Sequence, residues 1–357
     1  MCEDEYQYVL ELSKRQSGAV LGRGPIHPDW APLQEALALD LVRRSARANF
    51  DEPPDIRIEP QWSDPAAGSF ICGLRATAIS GDEGSDSLQV SIDYFRVQAQ
   101  RAADRFVKSG DLQPGELFEY RVLALAKQPT PPPSSPRFAM KRVATPVPIA
   151  PALLADYTGR ALSFITGADD DVPVFVPWQV AQGASVLTRQ AGALECGGVL
   201  VGHVRRDPAV AEVFLEITAQ IPAHAHSEVM RLSFSPDTWS DVQAEVNSRG
   251  QNEVWLGWWH SHSFSKQEAP SEGKDSALRR RPALPFLSEE DLLLHRTVFP
   301  RAYSLALLIT DSPQNGMSWT MFGWRSGTIA RRDFHVIDAP LPKAFTALRG
   351  NDHATIR

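Results

Sequence analysis

The chain has 357 residues, 43% of them hydrophobic and 22% charged, with a net charge of −7 and a pI near 5.7. At about 150 residues per domain, that length suggests two domains with real cores. The acidic balance excludes a protein that works by coating nucleic-acid phosphates, which needs a basic excess. The longest apolar stretch, around 304–310, is too short to span a bilayer, so no membrane partner is expected. The opening MCEDEYQ is acidic where a secretory signal is basic and then apolar. Cys2, Cys72 and Cys196 are scattered and make neither a disulfide framework nor a CxxC pair. A reducing cytoplasm is the expected location.

In chain order, 32–48 puts Leu33, Ala36, Leu37, Leu41 and Val42 on one helical face. Residues 56–62 and 70–78 alternate apolar and polar like half-buried strands. A further strand is predicted over 88–95, running into a helical pattern over 96–108. Residues 116–126 read as a last strand or a short helix. These make a small α+β domain over 1–128, with no chemical constellation in it. Residues 129–151 hold eight prolines. Proline lacks a backbone donor and fixes φ, so this stretch reads as an extended linker.

The second domain is expected over 172–338, with a tail over 339–357. A β-branched run at 172–176 is followed by a helix at 180–191 and strands at 196–204 and 212–217. A helix at 236–246 has Ser235 as its N-cap. A tryptophan-rich strand spans 254–259, a helix 288–297, and strands 304–310 and 319–324. Strand and helix alternate, which predicts an α/β (α+β) arrangement around a mixed sheet.

Two segments have the form His-x-His. His224-x-His226 falls in a loop-like stretch and reads as exposed histidines. His260-x-His262 follows directly on the strand predicted at 254–259. In extended backbone, residues i and i+2 face the same side, so two imidazoles there can share one Zn2+ at about 2.0–2.1 Å. A hydrolytic zinc site needs a third protein ligand and an open position. Downstream, Ser288 followed by Asp291 is a helix-start signature. A carboxylate in that first turn can also project toward a metal. His295, one turn on, shares that helical face and competes as a ligand. Glu195 stands before Gly197-Gly198 and an apolar strand. It reads either as an exposed strand-start glutamate or as a general base for a hydrolytic water. Cys196 reads as packing, and Trp255, Trp258 and Trp259 as core and pocket wall.

Glu195-x-Gly197-Gly198-x-Leu200-x-Gly202, then Gly257-Trp258-x-His260-Ser261-His262, then Ser288-x-x-Asp291, resemble in that order the JAB/MPN domain of the JAMM metalloproteases. The resemblance covers roughly 172–338 and implies a cytidine-deaminase-like mixed sheet flanked by helices. It implies one Zn2+ held by His260, His262 and Asp291. Glu195 would take the water's proton and return it to the leaving amine, and the Ser288 hydroxyl would help hold the oxyanion. The implied activity is that of a zinc metallo-isopeptidase or peptidase. It would cleave a ubiquitin-like protein from its conjugates or trim its C-terminus, in the setting of bacterial ubiquitin-like conjugation or antiphage systems. The N-terminal domain would bind the modifier, the conjugation enzymes or the target.

Two features depart from the family. Ser263 stands where proline usually follows the second histidine. Ser288 also lies 26 residues after His262, so 264–287 reads as a locally basic insertion at the rim of the site, engaging the incoming polypeptide. Ser271 has the usual offset, but Lys274 stands where its carboxylate belongs and Asp275 is one position off. Asp291 is therefore preferred. Two other classes fit the same residues: an MPN scaffold kept for binding, and a zinc amidohydrolase acting on a sulfur-carrier protein or a small amide.

Overall fold

The computed structural model describes residues 5–44, 55–63, 70–79, 87–127, 146–162, 171–192, 194–223, 236–263, 285–312 and 316–340. The chain divides into two units, with the main boundary between Pro146 and Val147.

The first unit opens with a hairpin that the sequence reading missed, β1 (Tyr6–Lys14) and β2 (Val20–Ile26). The signal was legible, because Tyr8, Leu10 and Leu12 recur at every second position and are all buried. Helix α1 (Ala31–Arg44) follows, burying Leu33, Leu37 and Leu41. Then come β3 (Asp55–Trp62), β4 (Ile71–Ile79) and β5 (Ser87–Ser91). The strand expected over 88–95 ends early. The Ser91 side chain accepts from the Asp93 N–H and starts a 3-10 turn over Ile92–Phe95. Helix α2 (Arg96–Ser109) and β6 (Phe118–Ala126) complete the unit. The choice left open at 116–126 is decided in favour of a strand by continuous antiparallel pairing of β6 with β1. Two three-stranded sheets, β2-β1-β6 and β3-β4-β5, share one core with Phe95 and Ala99.

The second unit contains β7 (Ile149–Pro151), α3 (Leu154–Thr158), β8 (Val174–Pro177), α4 (Trp178–Ala191), β9 (Gly197–Arg206), β10 (Val213–Pro222) and α5 (Pro236–Arg249). It continues with β11 (Val254–Ser263), α6 (Glu289–Val298), β12 (Leu305–Ser312), β13 (Gly316–Arg325), β14 (Thr328–Arg332) and β15 (His335–Ile337). Among the described residues, nine strands form one mixed sheet in the order β14-β13-β12-β11-β9-β10-β8-β15, with β7 beside β9. The last residues of the proline-rich stretch thus form a strand. Pairing of β11 with β9 ends at Gly202, and β7 takes over that edge at Val204–Arg206.

The sheet is covered on both faces, so its central strands are apolar on both sides. Leu305, Ala306, Leu307, Leu308 and Ile309 of β12 are all fully buried. Alternation along the strands decides which helix each residue meets. On one face, Trp258, Ala306 and Leu308 pack with Leu292, Leu294 and Val298 of α6. Val199 and Val201 pack with Val242 and Val246 of α5, and Trp239 and Trp255 border both clusters. On the other face lies α4, whose Ser185 hydroxyl accepts from the Trp319 indole at 2.8 Å. No helix among the described residues is long and apolar enough to cross a membrane.

Several expected features fall outside the described residues: Cys2, His224, His226, the cap Ser235, Ser271, Lys274, Asp275, most of the insertion at 264–287, and the tail from 341 onward.

Candidate metal centre

Strand β11 does not stop at Trp259, as the sequence reading had it. It runs on through both histidines, with His260 opposite Leu308 and His262 opposite Thr310 of the parallel neighbour β12. A register shift between Trp255 and Gly257 on the β9 side precedes them. Gly257 is required there, because a Cβ would meet the Leu305 carbonyl oxygen at 1.9 Å. Beyond that irregularity, Trp258, His260 and His262 share the face covered by α6.

The third group comes from the start of α6. Ser288 is the N-cap and Asp291 is N3 of a complete capping box. The Asp291 N–H donates to Ser288 Oγ at 3.1 Å. In return Asp291 Oδ2 accepts from the Ser288 N–H at 2.8 Å and from its hydroxyl at 2.7 Å. This helix-start device aims the carboxylate. The same Oδ2 lies 3.4 Å from His260 Nε2 and 3.7 Å from His262 Nε2, and the two nitrogens are 3.1 Å apart.

The three donor atoms fit a metal ion. Donors around a four-coordinate ion of zinc's size, at about 2.0–2.1 Å from it, stand about 3.3–3.4 Å apart. The observed separations bracket that value, and this is the one such cluster among the described residues. The electrostatics favour the same arrangement. Burial pushes the His260 imidazole below its usual value, against the pull of Asp291, in the direction of the neutral form a metal needs. Burial alone would raise the Asp291 carboxyl. The two imidazoles and the Ser288 hydroxyl outweigh it and hold the group well below the usual carboxylate range.

Glu195 reaches the same place across the sheet. His260 pairs with Gly197 of antiparallel β9, and the Ser261 N–H donates to the Cys196 carbonyl at 2.8 Å. Glu195 lies two residues before Gly197, close enough to the ligands that the charges of His262 and Asp291 act on its carboxyl. Burial raises its carboxyl, countered by His262 and reinforced by Asp291 and Glu290. Cys196 takes the other face, where its Sγ lies 3.4 Å from Ser261 Oγ and 3.9 Å from Thr188 Oγ1.

The five residues singled out in the sequence, Glu195, His260, His262, Ser288 and Asp291, are therefore brought together. His295 is not among the donors. It is fully buried, and its Nδ1 accepts from the Trp258 indole at 3.1 Å. Two neighbours went unnoticed in the sequence. Phe286 is exposed and sets its ring edge-on to His262 at 6.4 Å, and exposed Leu194 precedes Glu195. The signal for both was adjacency to a site residue.

No family model matches the chain, and no curated protein does. Among solved structures, the solution structure of a protein from Desulfitobacterium hafniense is similar at 20% identity, over 46% of this chain and 94% of that one, with a TM-score of 0.30.

Proposed function

We propose that the second unit is a JAB/MPN-type zinc metallopeptidase. In that reading it hydrolyses the peptide or isopeptide bond at the C-terminus of a ubiquitin-like protein. The observation that carries the reading is the convergence of three ligand atoms from His260, His262 and Asp291, with the Glu195 carboxyl close enough to feel the charges of His262 and Asp291. An ion there would be held by His260 Nε2, His262 Nε2 and Asp291 Oδ2. When bound, it would supply Lewis acidity to the scissile carbonyl and to the attacking water.

The chain's own residues do the rest. Glu195 accepts the water's proton on its carboxylate and delivers it to the nitrogen of the leaving amine. Asp291, locked by the capping box, keeps its oxygen aimed while the substrate enters. The Ser288 hydroxyl, hydrogen-bonded to Asp291 in this structure, would have to swing its proton toward a developing oxyanion to stabilise it. The first unit would bind the modifier, its conjugating enzymes or the target.

The test is direct. Purified full-length protein is assayed for bound zinc and for cleavage of a ubiquitin-like protein fused through its C-terminal Gly-Gly to a reporter. Zinc at one per chain together with cleavage after Gly-Gly is expected. Zinc with cleavage of small amides alone would replace the protein substrate with a small one. Zinc with no hydrolysis of either would point to a binding scaffold.

A further inference from the structure

A metal-ligating histidine ordinarily donates its second ring N–H to a carboxylate or carbonyl, which fixes both its tautomer and its orientation. His260 departs from this. Its Nδ1 is buried and has no hydrogen-bond partner among the described residues. What meets the ring instead is an indole. Trp258, two residues back on β11, stacks on His260 with ring centroids 4.5 Å apart and planes 12° from parallel.

That indole is held at its far end. Its Nε1–H donates to His295 Nδ1, and Trp258 and His295 are both fully buried. His295 is itself packed by Phe299 and Trp324. It lies one helical turn after Asp291, so a single helix carries both the carboxylate ligand and the anchor of the indole. Burial pushes the His295 imidazole down to about 3, which favours the neutral ring, and the indole N–H, which can only donate, makes Nδ1 the acceptor.

We propose that His295 is a positioning residue for the metal centre. It clamps the Trp258 indole, and the indole plane sets the orientation of the His260 ring where a hydrogen bond would ordinarily do so. This rests on the metal reading of His260, His262 and Asp291, and is independent of what the protein hydrolyses.

The experiment uses Co2+ alone, whose visible absorption reports ligand geometry, titrated into the metal-free full-length protein. His295→Phe keeps an aromatic ring and removes the acceptor. His295→Asn keeps an acceptor near the position of Nδ1. Thermal unfolding of each metal-free variant monitors the fold. His295→Phe should bind Co2+ about tenfold or more weakly, with an altered absorption band, while His295→Asn restores most of both. Should His295→Phe fail to fold, Trp258→Phe, which keeps a stacking ring and loses the N–H, should show the same weakening. A folded acceptor-less variant with parental affinity and spectrum would overturn the clamp. So would His295→Asn behaving no better than His295→Phe. A parent that binds no Co2+ would overturn both the clamp and the metal site beneath it.

Discussion

Two buried polar clusters of the second unit are built on opposite principles. At one, Glu253 receives both arms of Arg249, at 2.6 and 2.9 Å, and the Thr218 hydroxyl. Each carboxylate oxygen meets a donor, and the charge is matched within the cluster. At the other, His260, His262 and Asp291 turn lone-pair atoms toward one another, 3.1 to 3.7 Å apart. A cluster whose groups satisfy each other holds the fold together. One whose lone pairs converge on a common point is arranged to hold a cation. Burial and charge do not separate the two; the direction of the donor atoms does.

The sharpest way to break this contrast is Glu195→Gln. The amide keeps the shape but cannot take a proton, so cleavage should fall about 10²–10⁴-fold with bound zinc and unfolding midpoint unchanged. Metal content and rate measured on one preparation decide it, and a near-normal rate in the zinc-loaded variant removes Glu195 from the chemistry.

Asp291→Asn should come next. It retains much of the capping box but loses the anionic ligand, so metal affinity should drop by more than about 100-fold, beyond the effect of losing an outer partner. Competition with a chelator measures it. Retention of parental affinity would show that the carboxylate serves the helix alone.

Glu253→Gln tests the other cluster and should do the reverse, costing about 2 kcal/mol of stability with no change in metal affinity. Its pH dependence is specific. The Arg249 guanidinium, ahead of the Thr218 hydroxyl, holds the Glu253 carboxyl below its ordinary value against burial. The contribution is therefore complete above the unfolded carboxyl's titration at about 4.3, and is lost as pH falls through the lower folded value. Urea midpoints of parent and variant should differ at pH 7 and converge toward pH 3. A gap that persists undiminished would mean that the charge is not what stabilises.

The smallest effect belongs to Ser288→Ala, which touches both principles at once. Loss of the cap should cost about 1 kcal/mol and loosen Asp291, weakening metal binding by less than Asp291→Asn does. Equal metal affinity with lowered stability would separate the cap from the ligand.

Much of the site was legible because it is written in local periodicities. The i, i+2 spacing of His260 and His262 puts both imidazoles on one face of any strand, and Ser288-x-x-Asp291 is a helix start by its own chemistry. Boundaries fared worse where the deciding partner is remote. The end of β11 moved past the histidines because β12 pairs with it as far as Ser263. Residues 116–126 became a strand only because β1 lies alongside, whereas the strand expected to reach residue 95 was cut at Ser91 by a local cap, the Asp93 N–H on the Ser91 side chain.

The sequence by itself determined the donor set: two histidines on one strand face, an acid in a first helical turn, and a glutamate at a strand start. These depend on spacings of two to four residues, which backbone geometry turns into direction without help from the rest of the chain. The tertiary structure alone decided that they meet. The antiparallel register of β9 and β11 pairs His260 with Gly197 and so brings Glu195, two residues earlier, within electrostatic reach of His262 and Asp291. The Trp258–His295 clamp exists because α6 packs on that same face. Register and helix placement are set by long-range hydrogen bonding and burial over the whole sheet, which no local window contains.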